Sequence, residues 1–262
     1  MSEQTKIVFE VSRSDGVATI LFGYGKVNSL PGKLLRSIAG AISELNEEEG
    51  IRVIVLKSEG ERAFCAGADF GEFEAATDAA KGKEFFMGFA LVIEAIQLSN
   101  IPVIARVQGP ATGGAVGIIA ACHYAIAIRN EKDRAVALTE LSLGIAPNVI
   151  ATAVIRAIGE KHFLTMSLDR KFRSSDWAER VGLFAEVVET EEELEAAVAA
   201  IASGIVSGTN PDAVRGVLEI VREETEFQEL DNRARLERRA GMSGEQVRSA
   251  QTAAAIARIK SR

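Results

Sequence analysis

Two glycine-rich segments constrain the fold of this chain more than any other feature of its sequence. The first runs from Phe64 to Asp69 (FCAGAD) and the second from Val107 to Gly114 (VQGPATGG). Each follows a run of apolar, largely β-branched residues typical of a strand buried on both faces, and each precedes a helical pattern. Such strand–turn–helix alternation predicts an α/β fold in which right-handed helical crossovers join successive strands.

The rest of the chain fits this prediction. Alternating residues in 6–12 and 17–22 flank the turn sequence Ser14-Asp15-Gly16 and predict a hairpin. Further buried strands are predicted at 51–56, 102–107 and 124–128. Helices are predicted at 32–48, 83–98, from the second glycine segment to about residue 122, 191–206 and 211–224, followed by two polar helices, the last at 243–259. Because no convincing strand follows residue 191, we expect this helical tail to pack on the core or on a neighbouring subunit.

Composition excludes several classes of function. The chain has 262 residues, enough for one large domain or one domain with an appendage, and its formal net charge is −7. This acidic balance disfavours nucleic acid and anionic membranes as partners, because both attract basic surfaces. Two cysteines and two histidines without clustering disfavour a metal site. With no signal-peptide pattern and no apolar run of membrane-spanning length, we expect a cytoplasmic protein with reduced thiols.

The glycine segments also indicate a chemistry. Gly67-Ala68 and Gly113-Gly114 are suited to leave backbone N–H groups unpaired, and two such groups aimed at one oxygen stabilise a developing oxyanion. Gly114 lies where a helix is expected to begin, so its N–H would lie at the positive end of the helix dipole. A later carboxylate, Glu140, is a candidate base, which requires an apolar pocket that raises its pKa. A solvated carboxylate at a strand end is the alternative interpretation of Glu140.

The motifs together resemble those of the crotonase (enoyl-CoA hydratase/isomerase) superfamily. The two glycine segments are followed in order by Thr139-Glu140-Leu141-Ser142-Leu143-Gly144-Ile145-Ala146-Pro147, and Asn28-Ser29-Leu30 is similar to the family's N-terminal Asn-Ala-Leu segment. The resemblance implies a repeated ββα spiral core, residues 1–195, and a C-terminal helical trimerisation region, residues 196–262. It also implies a homotrimer or hexamer that acts on an acyl-CoA thioester and needs no metal or redox cofactor.

The resemblance assigns roles to particular residues. The N–H groups of Ala68 and Gly114 would hold the thioester oxygen, with Glu140 as the catalytic acid–base group. The expected substrate-binding residues around them are Ala66, Gly67, Asp69, Gly113 and Gly117, with Lys26 and Arg62 approaching the nucleotide and Lys260 reaching that of a neighbour. Asp69 is expected mainly to brace its loop.

The departure from the family pattern lies at Gly117. Hydratases of this family carry a glutamate at this position and a second glutamate at the position of Glu140. The two carboxylates together hold and activate the water that adds to the substrate. With one carboxylate left, we expect enoyl-CoA isomerisation, and we expect Gly117→Glu to create or raise hydratase activity. Enoyl-CoA hydratase, decarboxylase or carbon–carbon bond-forming activity, and a non-catalytic acyl-CoA-binding protein remain the alternatives. A small residue that permits close helix packing is the structural interpretation of Gly117.

The remaining candidates are interpreted as structural or as lining the acyl end. Asn148 falls where dienoyl-CoA isomerases carry a second acid, but an amide cannot shuttle a proton, so we expect it to cap the following helix. Cys65, His123 and Trp177 are expected in packing roles. The segment 70–89, with Phe73, Phe85, Phe86 and Met87, fits either the acyl end of the site or the core.

Overall fold

The computed structural model describes residues 6–76, 78–130, 132, 134–224, 229–247 and 249–260, and the side chains of residues 224, 229–231, 259 and 260 lie outside this description. The strands are β1 (Ile7–Ser14), β2 (Val17–Tyr24), β3 (Ser29–Leu30), β4 (Val53–Ser58), β5 (Gly67–Ala68), β6 (Val103–Val107), β7 (Ala111–Thr112), β8 (Tyr124–Ile128), β9 (Val136–Ala137) and β10 (Glu186–Val188). The helices are α1 (Gly32–Glu47), α2 (Phe70–Ala75), α3 (Ala79–Leu98), α4 (Gly114–Ala121), α5 (Ala151–Asp169), α6 (Ser175–Arg180), α7 (Glu191–Gly208), α8 (Pro211–Glu224), α9 (Glu229–Val247) and α10 (Ala250–Lys260).

A repeated strand–strand–helix unit organises the molecule. A six-stranded sheet has the order β1-β2-β4-β6-β8-β10, with β1 and β2 antiparallel and all other neighbours parallel. From β2, β4, β6 and β8 the chain enters a short strand and then a helix, and the short strands pair as β3–β5 and β7–β9. This architecture confirms the predicted ββα spiral with its N-terminal hairpin.

Alternation along the central strands explains why both faces of the sheet are covered. In β4, Ile54 and Leu56 join the main core beneath α1, α3 and α4, whereas Val53 and Val55 face a second cluster with Leu194 and Val198 of α7. Successive side chains of a strand point to opposite faces, so a continuous apolar run needs a helix layer on each side. The first part of the helical tail therefore supplies one of the two layers.

The later helices pack on the spiral. Helix α9 lies along α3, where a Cβ atom added to Gly82 would lie 2.6 Å from the Cα of Gly244, and α10 contacts the 3₁₀ helix Glu140–Leu143. The tail thus packs on the core, one of the two expected arrangements. The predicted boundary between the core and the C-terminal region, at residues 195 and 196, falls within α7 and stays a prediction, as does trimerisation.

Among the described residues, no helix combines the length and the apolar character needed to cross a membrane.

Side-chain caps account for the helix boundaries that the sequence pattern missed. Asp78 caps α3 by accepting a hydrogen bond from the N–H of Lys81. The helix therefore begins at Ala79, four residues before its predicted start at residue 83. The predicted helix at 243–259 is wrong as a single element: α9 ends at Val247, and the hydroxyl of Ser249 accepts from the N–H of Thr252 at the start of α10. Caps of this type satisfy amides that have no partner within the helix.

Candidate active site

The two glycine segments meet at one end of a cavity. Gly67 has φ of 89°, and a Cβ atom added to it would lie 3.0 Å from the carbonyl oxygen of Thr112 and 3.9 Å from the nitrogen of Gly114. Gly113 also has a positive φ, 56°. Both conformations are costly for residues with a side chain, and the close approach leaves no room for one at position 67. The glycines therefore permit two strand-to-helix junctions to touch.

Ala68 and Gly114 both line the cavity. The N–H of Asp69 donates to Leu30 in β3, and because amides alternate along a strand, the N–H of Ala68 points away from β3. The N–H of Gly113 donates to the carbonyl oxygen of Ala137, and the next residue, Gly114, is the first residue of α4. Its N–H has no carbonyl partner within the helix. Two backbone donors are thus available at this end of the cavity.

Glu140 lies beside the second glycine segment. It is the first residue of the 3₁₀ helix after β9, and its Oε1 would lie 3.5 Å from a Cβ atom added to Gly113. Its Oε2 is buried and has no hydrogen-bond partner among the described residues. Burial raises the pKa of Glu140 to about 7, and the backbone N–H groups of Glu140 and Thr139 oppose this shift only in part. The carboxyl is therefore buried, with a pKa near neutral pH, and is not a solvated group at a strand end.

The rest of the cavity is mainly apolar. Its volume is about 410 Å³, and Glu140 is the one titratable side chain among the described residues that line it. Aromatic rings form much of the wall: Phe70, Phe73, Phe85, Phe86 and Phe89. Of the predicted acyl-end residues, Phe73, Phe85 and Phe86 line the cavity, whereas Met87 packs against the main core.

Gly117 is not part of the cavity wall. It is buried within α4, where an added Cβ atom would lie 2.6 Å from the Cβ of Ile150 and 3.2 Å from the Cδ1 of Ile93. The structure thus agrees with the packing interpretation of Gly117. A side chain at this position would require Ile150 to shift, and our expectation that Gly117→Glu creates or raises hydratase activity stays a prediction.

Asn148 has a different role from the predicted helix cap. Ile150 occupies the N-cap position of α5, and the Nδ2 atom of Asn148 instead donates to the Ser243 hydroxyl at 3.1 Å and to Gln246 Oε1 at 3.2 Å. Both partners lie on α9, and Ser243 lines the cavity together with Asn148. Sequence analysis missed Ser243 and Gln246. Their spacing of three residues puts them on one helix face, but nothing local shows which structure that face contacts.

The other predicted residues divide into two groups. Ala66 and Gly67 line the cavity with Gly113, whereas Asp69 caps α2 by accepting from the N–H of Glu72, in agreement with a bracing role. Lys26 and Arg62 are exposed and do not line the cavity. The side chain of Lys260 lies outside the described residues. Nucleotide contacts of these cations therefore stay predictions.

The residues assigned to packing behave accordingly. Burial raises the pKa of the Cys65 thiol to about 12, and its sulfur accepts from the N–H of Gly67. His123 Nδ1 accepts from the N–H of Val103, which keeps that nitrogen unprotonated. Trp177 packs against the core as expected, and the Ser174 side chain caps its helix by accepting from the N–H of Trp177.

Known proteins resemble this chain over most of its length. A family model described as enoyl-CoA hydratase/isomerase matches residues 12–256. A mitochondrial methylglutaconyl-CoA hydratase from Rattus norvegicus is 32% identical over 189 residues, which cover 72% of this chain and 58% of that protein. The fatty acid oxidation complex subunit alpha of Idiomarina loihiensis is 28% identical over 191 residues, which cover 72% of this chain and 27% of that protein.

A solved structure shows the same fold. The crystal structure of an enoyl-CoA hydratase from Bacillus halodurans matches with a TM-score of 0.83 at 20% sequence identity, covering 95% of this chain and 99% of that one. By contrast, the chain spans little more than half of the rat relative and about a quarter of the Idiomarina relative.

Proposed function

The chain belongs to the enoyl-CoA hydratase/isomerase family, and from that premise we propose that it is an enoyl-CoA isomerase with Glu140 as its single acid–base group. The observation that carries the proposal is that Glu140 is the one titratable group among the described residues lining the cavity, directly beside the paired glycine segments. A single carboxyl near neutrality is sufficient to move one proton between two carbons of a substrate.

The proposed reaction shifts a double bond. A 3-enoyl thioester binds with its carbonyl oxygen between the N–H groups of Ala68 and Gly114. Glu140 removes a proton from C2, and the electron pair of that C–H bond delocalises onto the thioester oxygen as a dienolate. The two N–H groups stabilise the charge that develops there. Glu140, now protonated, returns the proton to C4, so the double bond moves from C3–C4 to C2–C3.

Hydration is the second candidate, because relatives are named hydratase. Adding water across a 2-enoyl thioester needs a group that activates the water and a group that protonates C2. Among the described residues that line the cavity, no second carboxylate accompanies Glu140. At Gly117, where the family's hydratases carry this second glutamate, an added Cβ atom would overlap the side chain of Ile150. These contacts favour isomerisation over hydration.

Mass spectrometry of esters incubated in heavy water separates the two activities. We expect a 3-enoyl-CoA ester to give the 2-enoyl isomer, separated by chromatography before mass spectrometry, with no added water. Deuterium should enter this product only as far as the Glu140 proton exchanges with solvent before it reaches C4. A matched 2-enoyl-CoA ester should gain no water under the same conditions. A 2-enoyl ester that gains one water would overturn the single-base proposal and make hydration the activity of this site.

Glu140→Gln tests the catalytic group itself. The amide keeps the size of the side chain but cannot carry the proton, so we expect kcat to fall by about 100- to 10,000-fold. Binding of a saturated acyl-CoA ester, measured by calorimetry, should change little. An unchanged rate in this variant would remove Glu140 from the mechanism, and tight ester binding without turnover in the wild-type protein would indicate a non-catalytic binder.

A further inference from the structure

One edge of the cavity is polar, in contrast to its aromatic wall. Asn148 and Ser243 line the cavity there, and Gln246 lies one helical turn beyond Ser243 on α9. Ser243 is 1% exposed, so its hydroxyl is removed from bulk solvent. The proposed isomerisation uses none of these three side chains. A buried polar group normally has a partner, because leaving one without a hydrogen bond is costly.

Backbone contacts fix the direction of the hydrogen bonds at this edge. The N–H of Ala146 can only donate, and it donates to Gln246 Oε1 at 2.9 Å. Since this oxygen also contacts the amide of Asn148, the group that faces it must be the Nδ2 donor. The same Nδ2 atom donates to Ser243 Oγ, which therefore acts as an acceptor. Among the described residues, no acceptor receives the hydroxyl proton of Ser243.

Positive charge lies behind this edge. The Nη1 atom of Arg239 donates to the carbonyl oxygen of Asn148 at 3.4 Å and to Thr152 Oγ1 at 2.6 Å. Burial, Arg235 and Arg238 together lower the pKa of Arg239, so these two cations lie close enough to Arg239 to repel it. Arg238 and Arg239 line a neighbouring cavity that shares Asn148 with this one. The ion pairs of the described residues include none for these arginines. A nearby anion would relieve the repulsion.

We propose that the Ser243 hydroxyl, held by Asn148, binds a carboxylate on the acyl chain, so that the preferred substrate is the CoA thioester of a dicarboxylic acid. This inference rests on the proposed function, because it requires an acyl thioester in the cavity. A carboxylate supplies the acceptor that Ser243 lacks, and the arginines behind Asn148 favour its charge. A methyl-ended chain would leave the hydroxyl proton without a partner.

Calorimetric titration with unreactive saturated esters tests the proposal without turnover. The probes are glutaryl-CoA and adipoyl-CoA, paired with pentanoyl-CoA and hexanoyl-CoA, in which a methyl group replaces the carboxylate. We expect the wild-type protein to bind at least one carboxylate ester about tenfold more tightly than its methyl-ended counterpart, since hydrogen bonds to charged groups contribute an effect of roughly 10- to 100-fold.

Variants assign the preference to the polar edge. Ser243→Ala removes one oxygen and should abolish the preference while binding of the methyl-ended esters changes less than about threefold. Asn148→Asp, which adds a negative charge at the same edge, should reverse the preference. The matched control is Ser99→Ala, since Ser99 is a buried serine that lines neither this cavity nor the neighbouring one beside Arg238 and Arg239. It should keep the wild-type preference.

The outcomes separate this inference from the proposed function. Equal binding of paired esters by the wild-type protein, or an equal loss for both esters in Ser243→Ala, would overturn the carboxylate subsite and leave the isomerase proposal standing. Failure of all four esters to bind would overturn the proposed function and this inference with it.

Discussion

Glu140 is the residue at which burial bears most directly on the proposed function. Its Oε2 is buried without a partner among the described residues, and this desolvation raises the pKa to about 7. An ordinary glutamate is a weak base near neutral pH because its pKa is about 4.3. A buried carboxyl without a cation beside it is more basic, and it still loses its proton near neutral pH. The same burial that costs folding free energy thus makes the group suitable for proton transfer.

The pKa of Glu140 predicts the dependence of the isomerase rate on pH. The carboxyl must be ionised to remove the first proton, so kcat/KM should fall about tenfold per pH unit well below pH 7 and level off above it. A pantetheine ester is the suitable substrate, because it lacks the phosphate groups of CoA that titrate near pH 6. A profile that stays flat from pH 5.5 to 8 would contradict the assignment of Glu140 as the base.

At the scale of elements, the contact between α4 and the start of α5 decides what the active site can contain. Gly117 lies against Ile150, and Ile150 precedes α5 and also lines the cavity. Side chains that fill this contact occupy the space that a second carboxylate would need. This packing supports the proposed single-carboxylate mechanism, in which neither residue touches the reacting atoms.

Substitution of Gly117 by alanine tests that contact. We expect Gly117→Ala to lower the free energy of unfolding by about 1–3 kcal/mol, because the added methyl overlaps Ile150. The matched control is Gly40→Ala in α1, where no atom lies within 4 Å of the added Cβ. That substitution should stabilise the protein by up to about 1 kcal/mol. Chemical denaturation measures both variants, and similar stabilisation of the two would contradict close packing at Gly117.

At the scale of the whole molecule, α8 leaves apolar side chains in solvent. Val217, Ile220 and Val221 are 60%, 58% and 49% exposed. Clustered exposed apolar residues are typical of surfaces that bind other proteins. This patch is consistent with the homotrimer or hexamer that the family resemblance implies. Oligomeric state, cytoplasmic location and independence from metals or cofactors stay predictions.

Light scattering coupled to size-exclusion chromatography tests the assembly. We expect the wild-type protein to elute as a trimer or hexamer, and Ile220→Asp to shift it toward the monomer, because a charge would be buried at the interface. Ala200→Asp introduces the same charge at an exposed position of α7, outside the α8 patch, and should leave the assembly intact. A monomeric wild-type protein, or an assembly that Ile220→Asp does not weaken, would contradict an interface through α8.

The sequence by itself determined the fold class and predicted which two glycine segments meet at the cavity. Periodicity predicted the hairpin and the buried strands, and the glycine segments placed Ala68 and Gly114 at two strand-to-helix junctions. These features are local, because backbone conformation at a glycine and burial along a strand depend mainly on neighbouring residues. The position of Glu140 followed from the order of the motifs.

Only the tertiary structure decided which residues share the cavity. Asn148 was expected to cap a helix, yet its partners Ser243 and Gln246 lie about 95 residues further along the chain. Gly117 was expected among the substrate-binding residues, yet Ile150 covers it. Each of these outcomes depends on how packed elements are positioned relative to one another. Contacts between residues far apart in the chain fix that arrangement, so a local sequence pattern cannot predict it.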